Sequence, residues 1–244
     1  MEDSVKSFLD KIQELKDKKI KVDVISAGKQ AECSSLTFKQ QKDIISTIAD
    51  GAVGALKFQK IVNDIIIANT GNNDLKVTDK LPIILKLRMD AIGNTVKIDQ
   101  NEVNLVPVLE KASKNKVKYT KTVKGAVQID LEVPTLVEEN KIIQVVIETL
   151  KKDGDAEFGK SVGNIYTYEI VKYIKKIAFG EQELIFSDVP TRDRYKIVEN
   201  LPLSVNKEII SFIQMMKSKE NDILTVSVGG EDKIIDIDVS FFDS

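Results

Sequence analysis

The sequence predicts an α+β protein, mostly helical, with several antiparallel hairpins and no regular βαβ alternation. Three observations lead there. Apolar residues recur at i, i+3, i+4 and i+7 through most of the longer segments, the period of a helix buried on one face. Strictly alternating stretches are short and tend to come in neighbouring pairs with glycine nearby. Strands and helices do not take turns along the chain, as a parallel sheet with crossover helices requires.

An amphipathic helix is expected over residues 4–16, where Val5, Phe8, Leu9, Ile12 and Leu15 stand at helical spacing. Lys19-Ile20-Lys21-Val22-Asp23-Val24 then alternates as a half-buried strand does, with Gly28 closing it and a second strand before Leu36. Thr37 and Gln40 have capping-box spacing, hydroxyl and amide each positioned to satisfy an orphan backbone donor. Ile44, Ile45, Ile48 and Ala52 form the face behind them. After a break at Gly51 and Gly54, Phe58, Ile61, Val62, Ile65 and Ile66 make the clearest helical stripe in the chain. A helix over 79–92 follows, with Pro82 tolerated in its first turn and Gly93 as its stop. Residues 94–99 read as a short strand, and Pro107 leaves the weak helical pattern over 101–113 ambiguous.

A hairpin is expected over 116–133, turning near Lys124-Gly125, with Val127, Ile129, Leu131 and Val133 on one face. Thr135 and Glu138 repeat the capping-box spacing and open a helix to about Lys152, with Ile142, Ile143, Val146, Ile147 and Leu150 inward. Beyond the linker-like stretch 151–155, the residues Ile165, Tyr166, Ile170, Tyr173, Ile174 and Ile177 define another helix, stopped near Gly180. A strand over 183–186 and helices over 191–200 and 204–217 come next, the helices separated by Pro202. Two strands, 223–228 and 234–239, joined through Gly229-Gly230, close the chain. The linker suggests an N-terminal α+β region with a central hairpin (1–153) and a C-terminal helical region closed by a hairpin (154–244). One continuous domain is the alternative.

Composition narrows the function. The 36 basic and 38 acidic side chains nearly cancel, which gives no global pull toward nucleic acid or an anionic membrane. The chain has one cysteine, Cys33, so no intrachain disulfide forms; a structural thiol in a reducing compartment, or in a virion assembled there, is expected. The acidic start Met1-Glu2-Asp3-Ser4 does not resemble a signal peptide, and apolar runs such as residues 65–68 fall far short of the ~20 residues of a membrane span, so a soluble protein is expected. Histidine is absent. That removes Ser-His and Cys-His nucleophile pairs and HExxH metal sites, and a lone cysteine removes Cys-rich zinc sites. Paired-carboxylate and lysine chemistry stay open, but neither a conventional enzyme nor a cofactor or metal is expected.

Gly51-Ala52-Val53-Gly54 fits the GxxG spacing of a nucleic-acid clamp, yet Ala-Val brings no charge to phosphate, and a helix break accounts for it. Lys114, Lys116 and Lys118, with Lys121 and Lys124 behind, read as an anion-binding face or as edge-strand protection, the second preferred. Asp236 with Asp238, and Asp130 with Glu132, are carboxylate pairs of the kind any half-solvated strand shows. Glu138 and Glu139 suit the positive end of a helix. The terminal Phe241-Phe242 differs. On a continued strand the two rings point to opposite faces, so one can plug a partner's pocket, while burial of both against the chain's own helices is the alternative. Phe241 and Phe242, then Tyr166 and Tyr173, are the candidate partner-contact residues; removal of residues 241–244 is expected to abolish assembly and spare the fold.

Three stretches resemble the baseplate hub subunit family of T4-like contractile-tailed phages. The first runs Leu36-Thr37-Phe38-Lys39-Gln40-Gln41-Lys42-Asp43-Ile44-Ile45 and on through Phe58-Gln59-Lys60-Ile61-Val62-Asn63-Asp64-Ile65-Ile66. The second is Val133-Pro134-Thr135 with Glu138-Glu139-Asn140-Lys141, followed by Tyr168-Glu169-Ile170-Val171-Lys172-Tyr173-Ile174. The third is Ile197-Val198-Glu199-Asn200-Leu201-Pro202 with the closing Phe241-Phe242. The resemblance covers the chain from about residue 20 to its end and rests on the order of short, non-catalytic motifs. It implies a non-enzymatic role in the central hub of the tail baseplate, assembled in the host cytoplasm, through contacts with other hub and tail proteins or the tape-measure protein. A dissociable assembly chaperone and, from another class, a nucleic-acid-binding module are the alternatives.

Overall fold

A computed structural model describes residues 5–7, 11, 19–26, 28–115, 119–125, 127–153 and 158–242. It is an α+β fold whose strand pairs among the described residues are all antiparallel. Of the helix expected over 4–16, residues 5–7 and 11 are helical and the rest lie outside the described residues.

β1 (Lys19–Val24) and β2 (Lys29–Ser34) form the first hairpin, with Ile20, Val22 and Val24 buried and the intervening residues exposed. The capping box at Thr37 starts α1 (Phe38–Ser46): Gln40 N donates to Thr37 Oγ1 at 3.2 Å and Thr37 N to Gln40 Oε1 at 2.9 Å. A 3-10 stretch, Thr47–Val53, leads into α2 (Gly54–Thr70), so the two glycines mark a change of helical pitch and not a phosphate-cradling loop. α3 (Lys80–Ala91) precedes β3 (Thr95–Ile98) and β4 (Asn101–Asn104), a hairpin the sequence did not announce. Its turn residues, Asp99 and Gln100, both adopt left-handed φ values (47° and 69°) without the usual Asn-Gly signature. α4 (Val106–Lys114) settles the ambiguous stretch, because Pro107 sits in its first turn, where a missing N–H breaks no helical bond.

The main sheet has the order β5 (Thr120–Val123), β6 (Gln128–Glu132), β7 (Ile174–Phe179), β8 (Gln182–Ile185). α5 (Leu136–Asp153) and α6 (Phe158–Val171) connect its middle strands. Here the helix expected through Ile177 fails: α6 stops at Val171, and Ile174 and Ile177 pair with Leu131 and Ile129 of β6. Their β-branched side chains suit both readings of the spacing, and the ladder with β6 decides. α7 (Thr191–Glu199) and α8 (Leu203–Leu224) follow, α8 running beyond the expected Lys217. β9 (Thr225–Val228) and β10 (Glu231–Ile234) turn on Gly229 and Gly230, at φ 62° and 88°. That two-residue turn starts the last strand at Glu231 rather than at residue 234.

Buried apolar side chains sort into two clusters. The first joins β1, β2 and α1 to α4 with Ile223, Leu224, Ile235, Phe241 and Phe242 from the far end of the chain. The second lies between the main sheet and α5 to α8. α5 and α8 reach both, and the backbone near Val77 stitches them: Val77 N donates to Pro134 O at 3.0 Å, and Leu136 N to Leu75 O at 2.9 Å. The Thr135 capping box holds the start of α5, with Glu138 N donating to Thr135 Oγ1 at 3.1 Å. Thr135→Ala is expected to lower the unfolding free energy by about 1 kcal/mol. Urea titration reads this as a lower midpoint at unchanged slope.

Candidate functional site

The structure moves three of the four candidate contact residues indoors. Residues 239–242 form a 3-10 turn, not a strand, and Asp238 caps it: its Oδ1 accepts from Ser240 N at 2.8 Å and from Phe241 N at 3.3 Å. Side chains on such a turn do not alternate by 180°, so both rings enter the first core. Phe241 and Phe242 are 1% and 2% exposed, stand edge-to-face at 5.4 Å, and Phe242 lies 6.2 Å from Phe58. Arg88, itself buried, stacks 5.4 Å above the Phe241 ring and donates from Nε to Phe241 O at 3.2 Å and from Nη1 to Gly93 O. Tyr173 is buried in the second core, edge-on to Phe212 at 6.0 Å. Tyr166 alone is exposed, on α6, so the four do not form one patch.

The feature the sequence reading passed over lies where the cores meet. Glu139, in the first turn of α5, is 2% exposed. Its Oε1 accepts from Lys172 Nζ at 2.9 Å, and its Oε2 from Lys80 Nζ at 2.8 Å and Asn63 Nδ2 at 2.9 Å. Lys172 pairs again with Glu169 at 2.6 Å, and its ammonium stands 5.3 Å from the Tyr173 ring centroid. Asn63 also donates to Asn140 Oδ1 at 2.9 Å, and Asn140 to Asp64 Oδ1 at 2.7 Å. One ionic knot thus ties α2, α3, α5 and the α6–β7 corner. The signal was present: Glu139 precedes Ile142, Ile143 and Val146 by three, four and seven residues, which places it on the buried stripe.

Burial alone would raise the Glu139 carboxyl, but the charges of Lys80 and Lys172 outweigh it and hold the group well below the usual carboxylate range. For Lys172 burial acts to lower the value, and Glu139 and Glu169 more than reverse it. Carboxylate and ammonium are therefore both locked in their charged forms, and the pair exchanges no proton near neutrality. Burial pushes the Tyr173 hydroxyl up to about 12 and the Cys33 thiol up to about 11.

Lys172 also stands between two cavities. One, of about 220 Å³, is lined by Lys80, Glu139, Glu169 and Lys172 of this network together with Lys217 and Glu220. The other, a cleft of about 320 Å³, opens between the end of β6, α5, β7 and α7. Lys76, Lys141, Lys172, Lys175 and Arg194 line it against two carboxylates, Glu132 and Glu138. Glu132 accepts from Lys76 at 2.8 Å and also from Lys175. Arg194 is fixed by backbone carbonyls, with Nε on Val189 O at 2.6 Å and Nη2 on Ser187 O at 3.0 Å. Beside the cleft runs β8, an edge strand whose four residues are all exposed, including Leu184 and Ile185, with Phe179 on the neighbouring strand 64% exposed.

The other sequence candidates find ordinary partners. Lys114 ends a helix and pairs with Glu110 at 3.5 Å, and Lys121 pairs with Glu208 at 2.9 Å; Lys116 and Lys118 lie outside the described residues. Thr122 Oγ1 donates to Asp130 at 2.8 Å. No described helix is long and apolar enough to cross a membrane. Compared with known proteins, the chain matches no family model, no curated protein and no solved structure.

Proposed function

We propose that this chain is a non-enzymatic, protein-binding component of a contractile phage tail, contributing to the central hub of the baseplate or to its assembly. The observation that carries the reading is the order of the three sequence stretches that resemble the T4-like hub family, from α1 and α2 through the start of α5 and the α6–β7 corner to the end of α7 and the terminal 3-10 turn. Those stretches supply core packing and the ionic knot, so the resemblance concerns the framework of the molecule and not a reaction centre. The β8 edge, without a partner strand among the described residues, supports a role in contacts, because a free strand edge with exposed apolar side chains is a template for strand addition by another chain. Its partners on this reading are other hub and tail proteins or the tape-measure protein.

The same edge suits a client held only during assembly, which keeps the dissociable chaperone as a second reading. Quantitative mass spectrometry of purified tail particles, beside lysate of the cells that produce them, separates the two. The hub reading expects the chain in particles at a fixed small copy number. Abundance in lysate with absence from particles selects the chaperone, and absence from tails and tail intermediates alike removes both.

A further inference from the structure

We propose that the 320 Å³ cleft between β6, α5 and α7, together with the adjoining β8 edge, is the docking site for one kind of ligand: an extended acidic segment of a partner protein in which Asp or Glu alternates with apolar residues.

Charge gives the first argument. Five cationic side chains face two carboxylates in the lining. Glu132 serves Lys76 and Lys175 together, Lys172 is matched from its other side by Glu139 and Glu169, and Lys141 is exposed with no ion pair among the described residues, so Lys141 is the cation a ligand meets first. The N-terminus of α7, capped by Pro190 without a side-chain bond and carrying Asp193 in its first turn, reaches the cleft through Thr191.

The arrangement of those charges selects the ligand. The cations stand on separate elements, with Glu132 and Glu138 among them, and do not converge on one point. A compact phosphate with two or more charges placed there would lie against a carboxylate. Single carboxylates spaced along a chain meet the cations one at a time and avoid that repulsion. Between the charges the cleft is floored by buried Val133, Ile142, Val171 and Ile174, which suit apolar side chains and give a small polar anion nothing.

The edge strand supplies the third argument. Ile185 belongs to β8 and also lines the cleft, so the outer edge of β8, which pairs with no strand among the described residues, leads directly into the cationic pocket. A partner segment adding to β8 gains main-chain hydrogen bonds along the edge and places alternate side chains in the cleft. Choosing a peptide over a small molecule rests on the protein-binding reading above. Binding is measured on the isolated chain, so failure here leaves the particle inventory untouched, and absence from particles leaves this site standing.

The test uses the full chain and a fluorescein-labelled pool of dodecapeptides alternating Asp or Glu with Leu, Ile or Phe, followed by anisotropy at low and high salt. The comparison pool carries Asn and Gln in place of the acids. The acidic pool is expected to bind about tenfold tighter than the amide pool or better, to weaken as salt rises, and to lose about tenfold on Lys141→Glu. Lys141 is exposed and has no ion pair among the described residues, so the variant keeps the parent's circular dichroism, and Lys175→Glu provides a second variant on another element. Equal binding of the two pools, or binding unchanged by both substitutions, overturns the site. Pyrophosphate binding without peptide binding assigns the cleft to a free anion and overturns it too.

Discussion

Replacing Phe241 by Ala is expected to cost the fold about 3–5 kcal/mol, the range for emptying a buried phenyl ring that its surroundings cannot collapse around. The ring is almost wholly buried, meets Phe242 edge-on and lies under the Arg88 guanidinium. Truncation to Ala opens a void in the first core and strips a buried cation of its aromatic face, though the carbonyl contacts of Arg88 stay. A domain of this size holds about 5–15 kcal/mol in total, so the loss is visible as a large drop in the urea midpoint. Removing residues 241–244 takes both rings and is expected to unfold the first core, the opposite of a deletion that spares the fold. Tyr166→Ala, on the surface, is the control and should fall within about 0.5 kcal/mol of the parent. Equal midpoints for Phe241→Ala and Tyr166→Ala would place the terminal ring outside the core.

Breaking the ionic knot from one side should cost as much. Glu139→Leu leaves Lys80 without its carboxylate and Lys172 with Glu169 alone, and removing one partner of a buried pair typically costs about 3–5 kcal/mol. The double variant Glu139→Leu, Lys172→Met removes both buried charges and is expected to be more stable than Glu139→Leu alone; a loss in the double variant equal to the sum of the losses in Glu139→Leu and Lys172→Met would mean the charges are not coupled. The pH dependence has a definite sign. Glu139 is held below its usual 4.5, so its contribution is fully present above that value and is lost as pH falls through the folded-state value. Lys172 is held above its usual 10.5, so its contribution is present below that and is lost as pH rises through the folded-state value. The contribution of this pair should therefore be flat between roughly these limits, and Glu139→Leu should lose part of the acid shoulder, with Glu132, also held below its usual value, keeping the rest.

Local signals were legible wherever one period or one cap decides the structure. The Thr37 and Thr135 boxes, the Phe58 to Ile66 stripe and the Gly229-Gly230 turn all stand where the sequence places them. What escaped was set by partners distant in sequence. Tyr173 to Ile177 carries a helical spacing and a β-branched composition at once, and only β6, some forty positions earlier, settles the matter. Asp99-Gln100 turns without glycine because the strands on either side hold it. A continued strand would turn one ring of Phe241-Phe242 outward, with burial of both as the alternative; the Asp238 cap rolls the backbone into a turn first, and the alternative holds. Glu139 was readable on its stripe, but the helix-dipole explanation for two adjacent glutamates appeared sufficient and hid it. The cationic cleft draws Lys76, Lys141, Lys175 and Arg194 from four places in the chain, and no window of sequence contains it.

The first core is sealed by its latest residues: Gln41 Nε2 donates to Phe242 O at 2.8 Å across 201 positions, and Phe242 packs on Phe58. On the ribosome this order matters. At about 5–20 residues per second, Phe58 is made roughly 10–40 s before the Phe242 ring that packs on it. Throughout that interval α2 already has β2 and then α5 to pack on, and the gap beside Phe58 is the part of the first core left for a holdase near the exit tunnel to occupy.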